Sequence, residues 1–179
     1  DDDAPDPEIT LPVAAYIPDK YLPDVQERLA IYQRLATAKD GTAIYDVVGE
    51  MNDLYGDPPT EVTALAELMI LKQHLRDMVA RALELGSAMP ATTTTAKPSE
   101  GTSEPPPRIV ITLGDKTRLD VTKLTEMATR DPTHVRLTPQ GKLIYTVDEN
   151  EWRAAGREVI PMCREVIRRL KDRALAKAS

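Results

Sequence analysis

With 179 residues, 29 acidic against 23 basic side chains, a formal net charge of -6 and 41% hydrophobic residues, the chain can fold as one ordinary domain, or one domain plus tails, around a real core. The acidic balance argues against a self-sufficient nucleic-acid binder, which needs a basic face for phosphates, and a lone cysteine, Cys163, excludes an intramolecular disulfide. No apolar run reaches the length of a bilayer span, and the opening Asp1-Asp2-Asp3 has neither the basic nor the apolar part of a secretory leader, so a soluble, cytoplasmic chain with no membrane partner is expected, and the missing initiating methionine reads as a piece of a longer protein.

Residues 1–7 read as an acidic linker or tail. Ile9, Leu11, Val13, Ala15 and Ile17 then alternate with other residues, the pattern of a half-buried strand, which Pro12 confines to an edge. Two X-Pro steps, at Pro18 and Pro23, keep the backbone extended until Asp24 and Glu27 supply a D-x-x-E helix start. The spacing predicts a helix from about Asp24 to Lys39 with Val25, Leu29, Tyr32 and Leu35 inward and Arg28, Gln33 and Arg34 in water. A second helix follows Asp40-Gly41-Thr42, with Ile44, Val47, Val48, Met51, Leu54 and Tyr55 on its apolar face and Gly56 as its C-terminal stop. A third, after Asp57-Pro58-Pro59, is apolar over more than half its circumference and should be the most buried of an antiparallel three-helix bundle.

Val79 to Ser87 admits two readings, a continuation of that helix or a strand with Val79, Arg81, Leu83 and Leu85 on one face. Residues 88–107, rich in threonine, proline, serine and glutamate, are too poor in apolar groups to offset their ordering entropy, and are expected to form a mobile insertion. Arg108 to Leu113 reads as a strand. Asp120 caps a short helix on Val121, Leu124, Met127 and Ala128 that ends at Asp131-Pro132. Val135 to Thr138 and Leu143 to Val147 flank Pro139-Gln140-Gly141 as a hairpin. A long last helix from about Glu149 to Lys177 should bury Trp152, Ala155, Val159, Cys163, Val166 and Leu170, with a kink at Pro161. The expected class is α+β: an N-terminal strand and three-helix bundle packed with a small antiparallel sheet or hairpin and a long C-terminal helix, in a single domain over 8–179.

No phosphate-cradling G-x-x-x-x-G-K-[ST], dinucleotide G-x-G-x-x-G or G-x-S-x-G nucleophile turn occurs. His74, His134 and Cys163 lack zinc-site spacing and read as structural or surface residues, so no catalytic, cofactor-binding or metal-ligating residue is assigned. Two charged patterns stand out. Glu50 and Asp53 lie one helical turn apart opposite the apolar face, where they are either solvated or meet one partner surface together. Arg153, Arg157, Arg164, Arg168, Arg169, Lys171 and Arg173 form a basic strip interleaved with Glu158 and Glu165; it is either self-paired or a contact for DNA or an acidic patch, and little salt-dependent DNA binding is expected from it.

The stretch from Ile17 to Arg34, I-P-D-K-Y-L-P-D-V-Q-E-R-L-A-I-Y-Q-R, resembles the opening motif of the C-terminal domain of the bacterial transcription-repair coupling factors, I-P-x-x-Y-I-P-D-V-x-x-R-L-x-x-Y-K-R, with mild departures at Leu22 and Gln33. Gly49 to Pro59 resembles the family's E-L-x-D-R-[FY]-G-x-x-P, with Leu54 where arginine is usual. The resemblance is strong from about Ile9 to Leu75 and topological afterwards, favours a strand over 79–87, and marks the insertion as a departure from a shorter family loop. It implies a regulatory, non-catalytic domain without a cofactor of its own, in a parent that uses ATP to translocate on double-stranded DNA, displaces stalled RNA polymerase and hands the lesion to UvrA for excision repair. It further implies that Glu50 and Asp53 belong to the surface that docks on the parent's UvrB-like module and masks UvrA recruitment. The competing expectation is a small α+β enzyme with a pocket between bundle and hairpin lined by Tyr16, Tyr32 and Tyr55, which a cavity of convergent titratable groups would favour.

Overall fold

A computed structural model describes residues 6–86 and 105–176. Most of the expected tail over 1–7 and of the insertion over 88–107 lies outside these described residues. The architecture is α+β, and it divides into two compact units: Pro12–Asp77, which is helical, and the described residues up to Leu11 together with those from Met78 onward, which carry the sheet.

In the helical unit, helices α1 (Val25–Thr37), α2 (Gly41–Tyr55) and α3 (Thr60–Asp77) pack against one another. Aspartates start the first two. Asp24 accepts from the Glu27 amide at 3.0 Å and Asp40 from the Ala43 amide at 2.9 Å, each satisfying a donor the helix cannot pair internally. Gly56 ends α2 at a φ of +87°, a conformation that costs other L-residues a steric clash, and its amide returns to the Asn52 carbonyl. The expected reciprocal capping box on α1 is half formed, because the Glu27 carboxylate instead accepts from the Tyr55 hydroxyl at 3.1 Å.

The inward face of α1 differs from the expected one. Ile31 and Leu35 are buried, whereas Val25 and Leu29 are exposed, and on α2 Leu54 is 71% exposed while Ile44, Val47 and Met51 are buried. Apolar spacing gives a stripe whose centre only tertiary packing decides, and the bundle takes one edge of it. The loop before α1 supplies the missing core. Ile17 and Leu22 are buried; the Tyr21 hydroxyl is shared between the Met51 and Gly56 carbonyls; Arg28 donates to the Leu22 and Pro23 carbonyls at 2.6 and 3.0 Å. The motif from Ile17 to Arg28 thus works as a packing anchor.

The alternating segment 9–17 is not one strand. Strand β1 covers Glu8–Thr10, and beyond it Pro12, with no amide to donate, marks the passage into the helical unit. There Tyr16 donates its amide to the Glu61 carbonyl and Ile17 to the Tyr32 hydroxyl.

In the sheet unit, β1 lies parallel to β2 (Ala80–Gly86), and β2, β3 (Arg108–Leu113), β5 (Lys142–Thr146) and β4 (Val135–Leu137) continue antiparallel in the order β1-β2-β3-β5-β4. The N-terminal strand therefore joins the sheet, making it mixed; parallel neighbours need a long crossover, and residues 12–77 form it. The ambiguous segment is strand over Ala80–Gly86, entered from Val79 at a φ of +52°. Register aligns Leu83, Ile111, Leu143 and Leu137 in one cross-strand row and Leu85, Ile109, Tyr145 and Val135 in the next, so one face is continuously apolar. Gly141, at a φ of +78°, closes the β4–β5 hairpin as its turn chemistry requires.

Helix α4 (Val121–Arg130) starts from Asp120, whose carboxylate accepts from the Thr122 and Lys123 amides. The expected single C-terminal helix is two. Helix α5 (Glu149–Ala154) ends before Gly156 and Arg157, both at positive φ, and α6 (Val159–Ala174) begins anew. Pro161 sits in the first turn of α6, where an amide has no intrahelical partner to lose, so the break precedes the proline and no kink forms at it. Cys163, Val166, Ile167 and Leu170 are buried on the inner face of α6.

Candidate functional site

Two places in the described residues present polar groups for chemistry or recognition, one in each unit. On α2, the residues at helical positions opposite Ile44, Val47 and Met51 are Asp46, Glu50 and Asp53, spaced i, i+4 and i+7, all exposed. Sequence reasoning named the last two and missed Asp46, although the same spacing would have found it. Glu50 is not free: its carboxylate meets the Arg34 guanidinium of α1 at 2.7 Å, and this bond holds the Glu50 carboxyl below the usual range. Beside the row, Glu27, Ala30, Ile31, Arg34, Met51, Leu54 and Tyr55 bound a shallow groove of about 180 Å³ between α1 and α2. The face is thus acidic along α2 with an exposed leucine at its edge.

Gly49 lies on this face, and a Cβ there would meet nothing within 4 Å. A glycine inside a helix is destabilising by about 0.5–1 kcal/mol relative to alanine. Gly49→Ala should therefore raise the thermal midpoint of the chain. A lowered midpoint would mean that the α2 face is covered at this point.

The second place lies in the sheet unit, in a cavity of about 680 Å³ whose lining includes Lys123, Met127, His134, Tyr145, Glu151 and Arg169. His134 immediately precedes β4, and its carbonyl accepts from the Thr146 amide of β5 at 2.7 Å. Asp148 and Glu151 form a full capping box on α5: Asp148 accepts from the Glu151 amide at 2.7 Å, and the Glu151 carboxylate faces the Asp148 amide at 3.4 Å. The hairpin and the box converge. His134 Nε2 stands 3.1 Å from Asp148 Oδ2 and 3.3 Å from Glu151 Oε1, and Nδ1 stands 2.9 Å from both oxygens of Asp131.

The bond to Asp131 is the largest influence raising the His134 pKa, with Asp148 adding to it against the opposing effect of burial. Tyr145 donates to Glu151 Oε2 at 2.7 Å, and Arg169 donates to both the Tyr145 hydroxyl (2.8 Å) and the same carboxylate oxygen (2.6 Å). Burial, then Glu151, pushes the Tyr145 hydroxyl up to about 12. His134, Asp131, Asp148, Glu151, Tyr145 and Arg169 thus form one bonded cluster. Spacing gave no sign of this cluster, because its members come from either side of the hairpin.

The remaining predicted residues fall as follows. Arg153 and Arg157 both reach Glu149, at 3.9 and 2.8 Å. Arg168 reaches Glu165 at 2.6 Å and Asp172 at 2.9 Å, and Arg164 is exposed on α6 and also has an interaction partner. The strip is therefore interleaved with carboxylates over much of its length. Cys163 is fully buried and its thiol is pushed up to about 12, so it offers no nucleophile. Tyr16, Tyr32 and Tyr55 all belong to the helical unit; Tyr16 is 48% exposed, while Tyr32 and Tyr55 spend their hydroxyls on Ile17 and Glu27. No described helix is long and apolar enough to cross a membrane.

Residues 11–102 match the model of the TRCF domain. The chain is 35% identical over 173 residues, 97% of its length, to a transcription-repair-coupling factor of Myxococcus xanthus, and 25% identical over 169 residues to that of Escherichia coli K12. It spans 13% of the length of each of these relatives. Its fold is similar to a solved C-terminal domain of transcription-repair coupling factor, with a TM-score of 0.59 at 17% identity, covering 94% of this chain and 95% of that one.

Proposed function

The chain belongs to the TRCF domain family of the transcription-repair coupling factors, and from that membership we propose that it is a regulatory docking module of a larger DNA-repair translocase, without a catalytic group of its own. The observation that carries this reading is the solvent face of α2, where Asp46, Glu50 and Asp53 line up beside the exposed Leu54. An exposed acidic row next to an apolar side chain suits a partner surface that combines a basic patch with an apolar recess. The occupant we assign is the parent's UvrB-like module. Docked, the domain covers the surface that recruits UvrA; engagement of RNA polymerase and double-stranded DNA by the ATP-driven parent, which would operate in the cytoplasm, favours the undocked state, and recruitment follows as a population shift.

The sheet-unit cavity does bring titratable groups together, the feature that would favour an enzyme, but its lining includes none of Tyr16, Tyr32 and Tyr55, and the groups around His134 bond to one another, Asp131 and Asp148 with the imidazole and Tyr145 and Arg169 with Glu151. We read them as a structural cluster, which fits a docking role. The carboxylates beside Arg153, Arg157 and Arg168 likewise favour a self-paired strip over a DNA contact.

The test is charge reversal in the full-length protein. Glu50→Lys with Asp53→Lys should weaken docking and raise UvrA affinity by about fivefold or more, in the range of ordinary coupling between sites. Asp53→Lys alone should act in the same direction while leaving the Arg34–Glu50 pair intact, which separates loss of docking from disturbance of the bundle. UvrA binding unchanged in the double variant would reject the masking role.

A further inference from the structure

The ring of His134 faces carboxylates at both nitrogens. Nδ1 is bracketed by the two oxygens of Asp131 at 2.9 Å, which aims the ring and leaves Nε2 directed at Asp148 Oδ2 and Glu151 Oε1. The three convergent atoms all lie within 4.8 Å of one another. The separations of the two carboxylate oxygens from Nε2, 3.1 and 3.3 Å, match the edge of a tetrahedron built on metal–ligand bonds of about 2.0–2.1 Å, which is roughly 3.3 Å. The other atom of each group is engaged elsewhere. Nδ1 holds Asp131, Asp148 Oδ1 accepts from the Glu151 amide, and Glu151 Oε2 accepts from Tyr145 and Arg169. Partners of that kind orient ligands and set their basicity in metal sites. His134 Nε2, Asp148 Oδ2 and Glu151 Oε1, the last also facing the Asp148 amide at 3.4 Å, converge at the edge of the 680 Å³ cavity, which leaves the fourth corner to solvent.

We propose that His134 Nε2, Asp148 Oδ2 and Glu151 Oε1 bind one divalent transition cation of the zinc class, with water as the fourth ligand. An imidazole with two monodentate carboxylates suits such an ion; magnesium and calcium prefer six or more oxygens. The site joins the start of β4 to the first turn of α5, so the cation clasps the hairpin to the helix that follows it. Its role is structural, and it is independent of the docking face on α2.

The experiment is a Co²⁺ titration of the 179-residue chain, read by the visible absorption of four-coordinate cobalt, followed by displacement with Zn²⁺. One equivalent should bind, and Zn²⁺ should raise the thermal midpoint. His134→Gln and Asp148→Asn should each lose at least tenfold in affinity together with the midpoint shift; asparagine preserves the helix cap, so Asp148→Asn keeps the fold. Asp131→Asn should weaken binding by about 10- to 100-fold through the ring it orients. His74→Gln, which removes the other histidine, should change nothing. Absence of the cobalt band, or its persistence in His134→Gln, would overturn the site and leave a plain imidazolium–carboxylate cluster.

Discussion

Replacing Leu22 with alanine is expected to cost about 2–5 kcal/mol of stability, the range for a buried leucine whose cavity the surroundings cannot fill. Leu22 is 1% exposed although it lies in a loop, and three features keep that loop from collapsing around a hole. Its amide donates to the Pro18 carbonyl, its carbonyl accepts from Arg28, and Pro23 fixes the next φ. Since a domain's whole stability is about 5–15 kcal/mol, the loss is a large fraction of it. Urea unfolding followed by circular dichroism measures it. Leu22→Ile, which restores the residue usual in the family, should cost less than about 1.5 kcal/mol because volume is conserved. A midpoint unmoved by Leu22→Ala would show that the motif is not the anchor of the helical unit.

This expectation changes what the most recognisable stretch of the chain means. From Ile17 to Arg28 nearly every side chain that identifies the family holds the bundle together: Ile17 and Leu22 by burial, Tyr21 by bridging the end of α2, and Arg28 by tying down the turn. Recognition from that motif therefore gave the fold, and the docking role came from α2, where the match is looser and Leu54 replaces an arginine. Helix starts were legible because aspartate caps act locally: Asp24, Asp40 and Asp120 each satisfy amides within three residues. The buried faces were less so. Val25, Leu29, Leu54 and Val121 fit an apolar period yet stay in water, because the period fixes a stripe and only the neighbouring helices choose its buried edge. The break at Gly156 has a local signature, since a glycine five residues before a proline that can occupy a helix's first turn is a stop and restart signal, whereas the proline alone suggests a kink. The His134 cluster depends on the hairpin register that pairs Val135 with Tyr145, a long-range fact that no spacing rule contains.

The same register sets up the sharpest contrast among the arginines of α6. Arg168 and Arg169 are consecutive and share the carboxylate of Glu165, but they meet different surroundings. Arg168 is 59% exposed at its side chain and adds Asp172 on the solvent side, where water replaces a lost partner readily. Arg169 reaches inward to Glu151, which is 12% exposed, and to the Tyr145 hydroxyl. Removing its guanidinium leaves that carboxylate facing a tyrosine and a histidine in a half-buried setting. Arg169→Met is expected to cost about 2 kcal/mol, below the 3–5 kcal/mol of a fully buried broken pair because Arg169 keeps some contact with water. Arg168→Met should leave unfolding unchanged. The double variant Arg169→Met with Glu151→Gln should recover about 1 kcal/mol relative to the sum of the single changes, since the neutral amide no longer needs the cation. Chemical unfolding of the four proteins in excess chelator measures the cycle free of any bound cation. Equal losses for Arg168→Met and Arg169→Met would place Glu151 in solvent, and with it the cavity that Tyr145 and His134 enclose.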